Sequence, residues 1–254
     1  MASAAHGGAV GLRGQPVGPP GRIILVSESM SRNSLSAALE GGAWRHILST
    51  IVTAVPVASS AQAVEVARAA ISVSGAGADE HLRVDIRPQR VELTLQTARL
   101  GGITEVDVAL SRRISDAVRD LQLAISADTV AAGRSVQTLE IAIDAMDIPS
   151  IRPFWKAVMG YVDEHGHDDP EDGLVDHFAS GPTIWFQRMD QPRLQRNRIH
   201  FDITVPHDEA DARVAAALAA GGVLVSDAEA RAFWILADVE GNEVCVCTWQ
   251  DRTG

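Results

Sequence analysis

Apolar and polar residues alternate with a period of two over two segments in the last third of the chain. In residues 197–205 (NRIHFDITV), Ile199, Phe201, Ile203 and Val205 alternate with His200, Asp202 and Thr204. In residues 242–249 (NEVCVCTW), Val244 and Val246 alternate with Glu243, Cys245 and Cys247. Such a period packs one face of a strand and leaves the other to carry chemistry. Two earlier segments repeat it. Leu139, Ile141 and Ile143 predict a packed face with Glu140 opposite, and Ile184 and Phe186 pack while Trp185 and Gln187 oppose them.

The remaining elements follow from spacing and breaks. Residues 32–39 predict a short helix, 44–57 a strand, and 60–72 a helix with a Ser cap and Val64, Ala67 and Ile71 at helical spacing. Residues 84–87 and 90–97 predict a hairpin turning at Pro88 and Gln89, and Thr104-x-x-Asp107 caps a helix running to about Leu123. Beyond a small, polar stretch the order strand, helix, several strands occurs twice. The first copy has a strand over 138–146, a helix over 149–159, an acidic loop over 163–173 and a strand over 183–189. The second has a strand over 198–205, a helix over 208–220 and strands over 223–226, 232–237 and 243–249. A repeat at this spacing predicts two units that share one core. The expected division is a disordered tail (1–31), a smaller domain (32–125), a linker (126–136) and a larger domain (137–254).

Composition narrows the function. The 254 residues are 46% hydrophobic, enough for two modest cores. A net charge of -11 argues against nucleic acid or an anionic membrane surface as partner. No apolar run approaches the roughly 20 residues that span a bilayer. The first 22 residues lack the charged leader and apolar block of a secretion signal. The two cysteines, Cys245 and Cys247, sit two apart on one strand face, a poor geometry for a mutual disulfide. A reduced, cytoplasmic setting follows.

The segments IAIDAMDIPSIRPFWKAVMGY, PTIWFQRMDQP, NRIHFDITVPHDEADARVAAALAAGG and AFWILADVEGNEVCVC cover most of residues 137–250. They resemble the vicinal oxygen chelate superfamily, which includes glyoxalase I, bleomycin-resistance proteins and extradiol dioxygenases, and look most like its glyoxalase-like type common in actinobacteria. The resemblance implies an α+β fold in which paired βαβββ units form a cup-shaped sheet, with any metal held in the cup. Its ligand positions fall on Glu140, Gln187, His200 and Glu243, each on the polar face of its strand. Two carboxylates facing one another in a cup repel unless a cation lies between them. This oxygen-rich set suits Mg, Mn, Ni, Zn or Fe. A single His among the ligands counts against extradiol dioxygenase chemistry, which relies on two His and one carboxylate. Trp185, Asp202, Trp234 and Cys245 are the candidate substrate contacts. His165, His167, Asp168, Asp169, Glu171 and Asp172 read as a solvated loop placed to act as a lid.

The smaller domain, a compact α/β sandwich, resembles pterin-4a-carbinolamine dehydratase over DEHLRVDIRPQRVELTLQTARLGGITEVDVALSRRI. Where that family has His-His-Pro and Thr-His, this chain has Glu80-His81-Leu82 and Thr97-Ala98. One His of three remains, a poor kit for acid–base dehydration, so the scaffold is expected to be kept and the activity lost.

The function expected from these residues is a metal-dependent lyase or isomerase acting on a small oxygenated metabolite, with Glu140 or Glu243 moving the proton. The alternatives are a non-catalytic binder of planar small molecules and a residual pterin dehydratase. No nucleotide cofactor is evident. Unpaired sheet edges in both domains predict a homodimer.

Overall fold

The computed structural model describes residues 28–125, 137–193 and 199–251, and the backbone of 128–129 and 134–135. Residues 1–27 of the expected tail (1–31), most of the linker, and the strand start at Asn197 and Arg198 lie outside the described residues, while at the tail's end Met30 donates to the Ile103 carbonyl and Ser31 caps the first helix.

The chain order begins α1 (Arg32–Leu39), β1 (Arg45–Ile47), β2 (Thr50–Pro56), α2 (Ser60–Ser74), α3 (Ala78–His81), β3 (Leu82–Arg87), β4 (Arg90–Leu95) and α4 (Glu105–Asp120). The stretch expected as one strand over 44–57 is a hairpin, because Leu48 takes a positive φ of 52° and turns the chain. The sheet order β1-β2-β4-β3 is antiparallel throughout, with α2 and α4 packed together against it. Ser59 caps α2 by accepting from the Gln62 amide, and Thr104 and Asp107 form the full capping box of α4. Ile51, Val55, Leu93, Leu95, Val66 and Ile114 lie in the core between sheet and helices.

Two short strands, β5 (Asp128–Thr129) and β6 (Arg134–Ser135), precede the larger unit. That unit runs β7 (Glu140–Ala145), α5 (Ile148–Met159), β8 (Val162–Asp163), β9 (Leu174–Val175), β10 (Thr183–Arg188), β11 (Phe201–Thr204), α6 (Ala210–Ala219), β12 (Val223–Ser226), β13 (Phe233–Ala237) and β14 (Glu243–Cys247). Its two sheets have the same plan, β7-β10-β9-β8 and β11-β14-β13-β12. In each, the first and last strands of the copy pair in parallel while the other neighbours are antiparallel.

The duplicate halves share one core, as the repeat predicts. Helix α5 belongs to the first half but packs into the second: Trp155 meets Phe201 edge to face and donates from Nε1 to Asp238 Oδ2 at 2.9 Å. Glu240, in the turn before β14, accepts from the amides of Met146 and Asp147, each at 2.8 Å. Gly160 ends α5 in the left-handed region, and Arg213 of α6 donates to the Val158 carbonyl there. A Cβ on Gly222, just after α6, would overlap the buried ring of Phe154. Leu139 and Ile199, expected on packed faces, are instead 68% and 75% exposed because each precedes its strand and has no sheet neighbour to cover it.

The acidic loop is anchored more firmly than its charge suggests. Arg152, 8% exposed, donates to the carbonyls of Asp172 and Gly173 and to Asp163 Oδ1. Hydrogen bonds from Lys156 and then Arg152 hold the Asp163 carboxyl below its ordinary value. Arg188 pairs with Glu171 farther along. The loop is solvated, as expected, but it is also tied as a strap to α5 and β10.

A second carboxylate organises the turn that follows β9. Asp176 accepts from the amides of Phe178, Ser180 and Gly181 and from Ser180 Oγ. Burial alone would raise its pKa, but these hydrogen bonds, led by Ser180 Oγ, lower it from 3.8 to about 2. A folded-state pKa below the unfolded one gives stability that is present above about pH 4 and lost as pH falls toward about 2. Urea midpoints are expected to drop over that window, and Asp176→Asn is expected to lower the midpoint at pH 6 while flattening the acid side. An unchanged acid limb in Asp176→Asn would refute this assignment.

Candidate functional site

Strand register decides which polar-face residues meet. In the second half, Phe201 pairs with Val244, Asp202 with Cys245, Ile203 with Val246 and Thr204 with Cys247. One step earlier in the same register, His200 stands level with Glu243. The face opposite the core therefore carries two rows, His200, Asp202 and Thr204 on one strand and Glu243, Cys245 and Cys247 on the other. In the first half, Glu140 pairs with Thr183, Ala142 with Trp185 and Asp144 with Gln187. The halves correspond row by row, so Glu140 takes the place of His200, Thr183 that of Glu243, Trp185 that of Cys245 and Gln187 that of Cys247.

This register corrects the expected metal quartet. Gln187 is opposite Asp144, four residues along the strand from Thr183, the partner of Glu140. Four residues of strand span about 13 Å, too far for Glu140 and Gln187 to share an ion. The position that would complement Glu140 holds Thr183 instead. The residues present do not fit a Glu140–Gln187–His200–Glu243 site.

A different group converges. Ligand atoms of His200, Asp202 and Cys245 all lie within 4.8 Å of one another, the one such cluster among the described residues. His200 Nε2 is 3.6 Å from Asp202 Oδ1, and both side chains are more than half exposed. Cys245, 9% exposed, is fixed in the middle of the sheet between β11 and β13. Burial first, then the charge of Asp202 and a hydrogen bond to it, push the Cys245 thiol up to about 12. The thiol is therefore protonated at neutral pH and donates to the Asp202 carboxylate. The two cysteines are free, and both are buried.

The expected substrate contacts divide. Asp202 and Cys245 join the cluster. Trp185 is on the equivalent face of the first half and 40% exposed. Trp234 is not on that face: it pairs with Val246 and packs on the shared core, while Phe233 and Ile235 flank the cysteines. Glu140 is exposed and belongs to no cluster of metal-ligating groups among the described residues.

A cleft of about 360 Å³ opens where the halves meet, lined by Asp144, Met146, Met189, Arg193, Glu240 and Asn242 among others. Arg193 pairs with Asp144 at 2.9 Å across it. The turn at its floor is built by Asp238, 2% exposed, which accepts from the Glu240 and Asn242 amides, from Asn242 Nδ2 and from Trp155 Nε1.

The smaller domain holds a polar network around its surviving histidine. His81 Nδ1 lies 2.8 Å from Asp107 Oδ1 and 3.2 Å from Thr97 Oγ1. Thr97 Oγ1 donates to Asp107 Oδ2 at 2.7 Å, and the Thr104 amide and hydroxyl reach the same oxygen. Asp107, Thr97 and Thr104 are fully buried. Sequence reasoning saw Asp107 only as a helix cap, and the unusual signal was an Asp at the third helical position where Glu or Gln is usual. Glu80, the residue just before His81, is exposed and makes no part of this network.

Comparison with known proteins agrees with both halves of this description. Residues 140–247 match the family described as a glyoxalase-like domain, and residues 28–117 match pterin 4 alpha carbinolamine dehydratase. The chain joins a pterin dehydratase-like domain to a glyoxalase-like domain. Among solved structures, the glyoxalase-like part is similar to a glyoxalase/bleomycin resistance protein/dioxygenase family enzyme from Burkholderia phytofirmans, at 19% identity over 43% of this chain and 95% of that one, TM-score 0.33. It is also similar to the fosfomycin resistance protein FosX from Mesorhizobium loti, at 7% identity over 45% and 92%, TM-score 0.35. The other part is similar to a transcriptional coactivator/pterin dehydratase from Brucella melitensis, at 21% identity over 35% and 98%, TM-score 0.31. At these values the neighbours assign no chemistry to this chain. No curated protein matches it. No helix among the described residues is long and apolar enough to cross a membrane.

Proposed function

We propose that the glyoxalase-like domain is an enzyme of the lyase or isomerase type that moves a proton on a small oxygenated metabolite. The observation that carries this reading is the convergence of His200, Asp202 and Cys245 on one open sheet face. An imidazole beside a carboxylate is a working acid–base pair: the carboxylate orients the ring and stabilises its protonated form. Both groups are exposed enough to reach a ligand. Glu243 stands next in the row, and Trp185 offers an exposed ring on the matching face of the first half. Of the expected metal set, His200 and Glu243 belong to this face, while Glu140 and Gln187 lie on the other half.

Proton exchange tests the reading. The full chain is incubated in heavy water with a panel of small α-oxo and α-hydroxy compounds, and loss of the α-proton is followed by NMR. His200→Ala is expected to slow exchange of the accepted compound by on the order of 100-fold, the usual worth of a positioned acid–base group. Absence of exchange across the panel would remove the enzyme reading. The alternative, a non-catalytic binder, is favoured by the cleft beside Asp144 and Arg193, whose volume is in the range of small-ligand sites. Ligand-dependent Trp fluorescence without turnover would identify that case.

For the chain as a whole we propose a cytoplasmic protein divided at the linker over 126–136, with the pterin dehydratase-like domain kept as scaffold. Ala98 stands where the related family has a His, and His81 is tied to Asp107 and Thr97. Homodimer formation is supported by edge strand β12, where Val223, Leu224 and Val225 are all exposed. Light scattering reads it, and a monomeric mass would reject it.

A further inference from the structure

We propose that the tip of the strap is a clasp: Glu164 and His165 of the glyoxalase-like domain seat on the turn at Gly101 and hold the two domains in one arrangement. The clasp does not depend on the acid–base pair at His200. A Cβ on Gly101 would stand 3.3 Å from the His165 carbonyl oxygen, 3.8 Å from His165 Cβ and 3.9 Å from Glu164 Cγ. Among the described residues seven glycines take a positive φ, and five of them have nothing within 4 Å of that position. Gly160 is met by Arg213 of its own domain, so Gly101 is the one of the seven approached across the domain boundary. Bare backbone at this point lets the two segments touch.

Each surface is shaped within its own domain. On the glyoxalase-like side, the His167 amide donates to the Glu164 carbonyl at 2.9 Å and Gly166 takes a φ of 77°, which closes residues 164–167 into a tight turn. Arg152 and Lys156 hold Asp163, the residue just before that turn, to α5. On the other side, the Leu100 amide donates to the Thr97 carbonyl, the Gly101 amide to the Ala98 carbonyl and the Thr97 amide to the Gly102 carbonyl. Thr97 is fully buried and donates to Asp107, so the seat stands at the end of the His81 network. The linker alone cannot fix the domains: fully extended, residues 126–136 would reach about 36–40 Å. Its strand β5 lies beside β2 of the smaller domain. A short tether of this kind keeps the partners at an effective concentration on the order of millimolar, at which a weak contact stays closed.

Cross-linking tests the clasp. Gly101→Cys/His165→Cys sets two thiols at the 3.8 Å Cβ separation of an ordinary disulfide, and the two native cysteines are buried. The control is Gly41→Cys/His165→Cys. Gly41 belongs to the same domain, has a left-handed φ of 69° and has no neighbour within 4 Å of its Cβ position, so the backbone strain is matched and the contact is not. In the full chain, under a glutathione redox buffer, the first pair is expected to bridge within one chain at least about 10-fold faster than the control. Non-reducing gels and peptide mass mapping read the bridge, and circular dichroism of each reduced variant separates a lost contact from a lost fold. Equal rates for the two pairs, or bridges formed only between chains, would overturn the proposal. Nitrogen-15 relaxation of the unsubstituted chain supplies a test free of any strain at Gly101. The clasp requires one rotational correlation time shared by α2, α4, α5 and α6, and separate times for the two pairs of helices would overturn it as well.

Discussion

Asp238→Ala is expected to destabilise the glyoxalase-like domain by about 3–5 kcal/mol, because it removes the shared acceptor of four hydrogen bonds, among them the one from the buried Trp155 indole. The carboxylate is 2% exposed and accepts four hydrogen bonds at 2.8–2.9 Å. Two of these shape the turn into β14, one holds the Asn242 amide, and one ties Trp155 of the other half. Asp238→Asn is expected to cost less, since Oδ1 still accepts from the two backbone amides while the new NH₂ opposes Trp155 Nε1. Urea titration followed by tryptophan fluorescence reads both. A midpoint for Asp238→Ala matching that of the parent would show that the turn stands without its carboxylate. Trp155→Phe should cost much less in the Asp238→Ala background than in the parent, since the indole has by then lost its acceptor.

Asp107→Ala is expected to have an effect of similar size, about 3–5 kcal/mol, confined to the pterin dehydratase-like domain. The substitution removes the common acceptor of His81, Thr97 and Thr104, and the two threonines are fully buried. It also dissolves the capping box that starts α4. Trp44, whose Nε1 donates to Ser115 on the same helix, is the one tryptophan of this domain and supplies its own reporter. Hydrogen exchange is expected to accelerate across α2 and α4 and to stay unchanged in α5 and α6. Uniform acceleration over both domains would mean that the two cores are energetically joined.

The elements of this fold were legible wherever one period ruled. Helix α1, the helix from Ser60 and the strands flanking His200 and Glu243 follow from spacing and caps alone. Pairing register was not. The face on which Gln187 lies can be read from its neighbours, but its level along β7 depends on the path through α5, the strap and β9. Hence Gln187 was expected to share a metal set with Glu140 and stands beside Asp144. Trp234 was misplaced for another reason: the run FWILA is apolar at every position and carries no period from which to choose a face. The His200–Asp202–Cys245 cluster was half visible, since the alternation puts each residue on a polar face. That they meet requires the parallel pairing of β11 with β14. The network at Asp107 joins groups 10 and 26 residues away, and nothing local announces it.

Helix α5 carries a consequence for how the glyoxalase-like domain can be divided. Its Trp155 answers to Asp238, its Phe154 ring lies against Gly222, and its last turn is closed by Arg213. A chain cut between β10 and β11 would part each of these pairs and leave both fragments with an uncovered apolar side. The fragments would recover their structure only by finding one another. The old duplication is thus a natural pair of complementing fragments, in which the return of the buried Trp155 signal reports encounter.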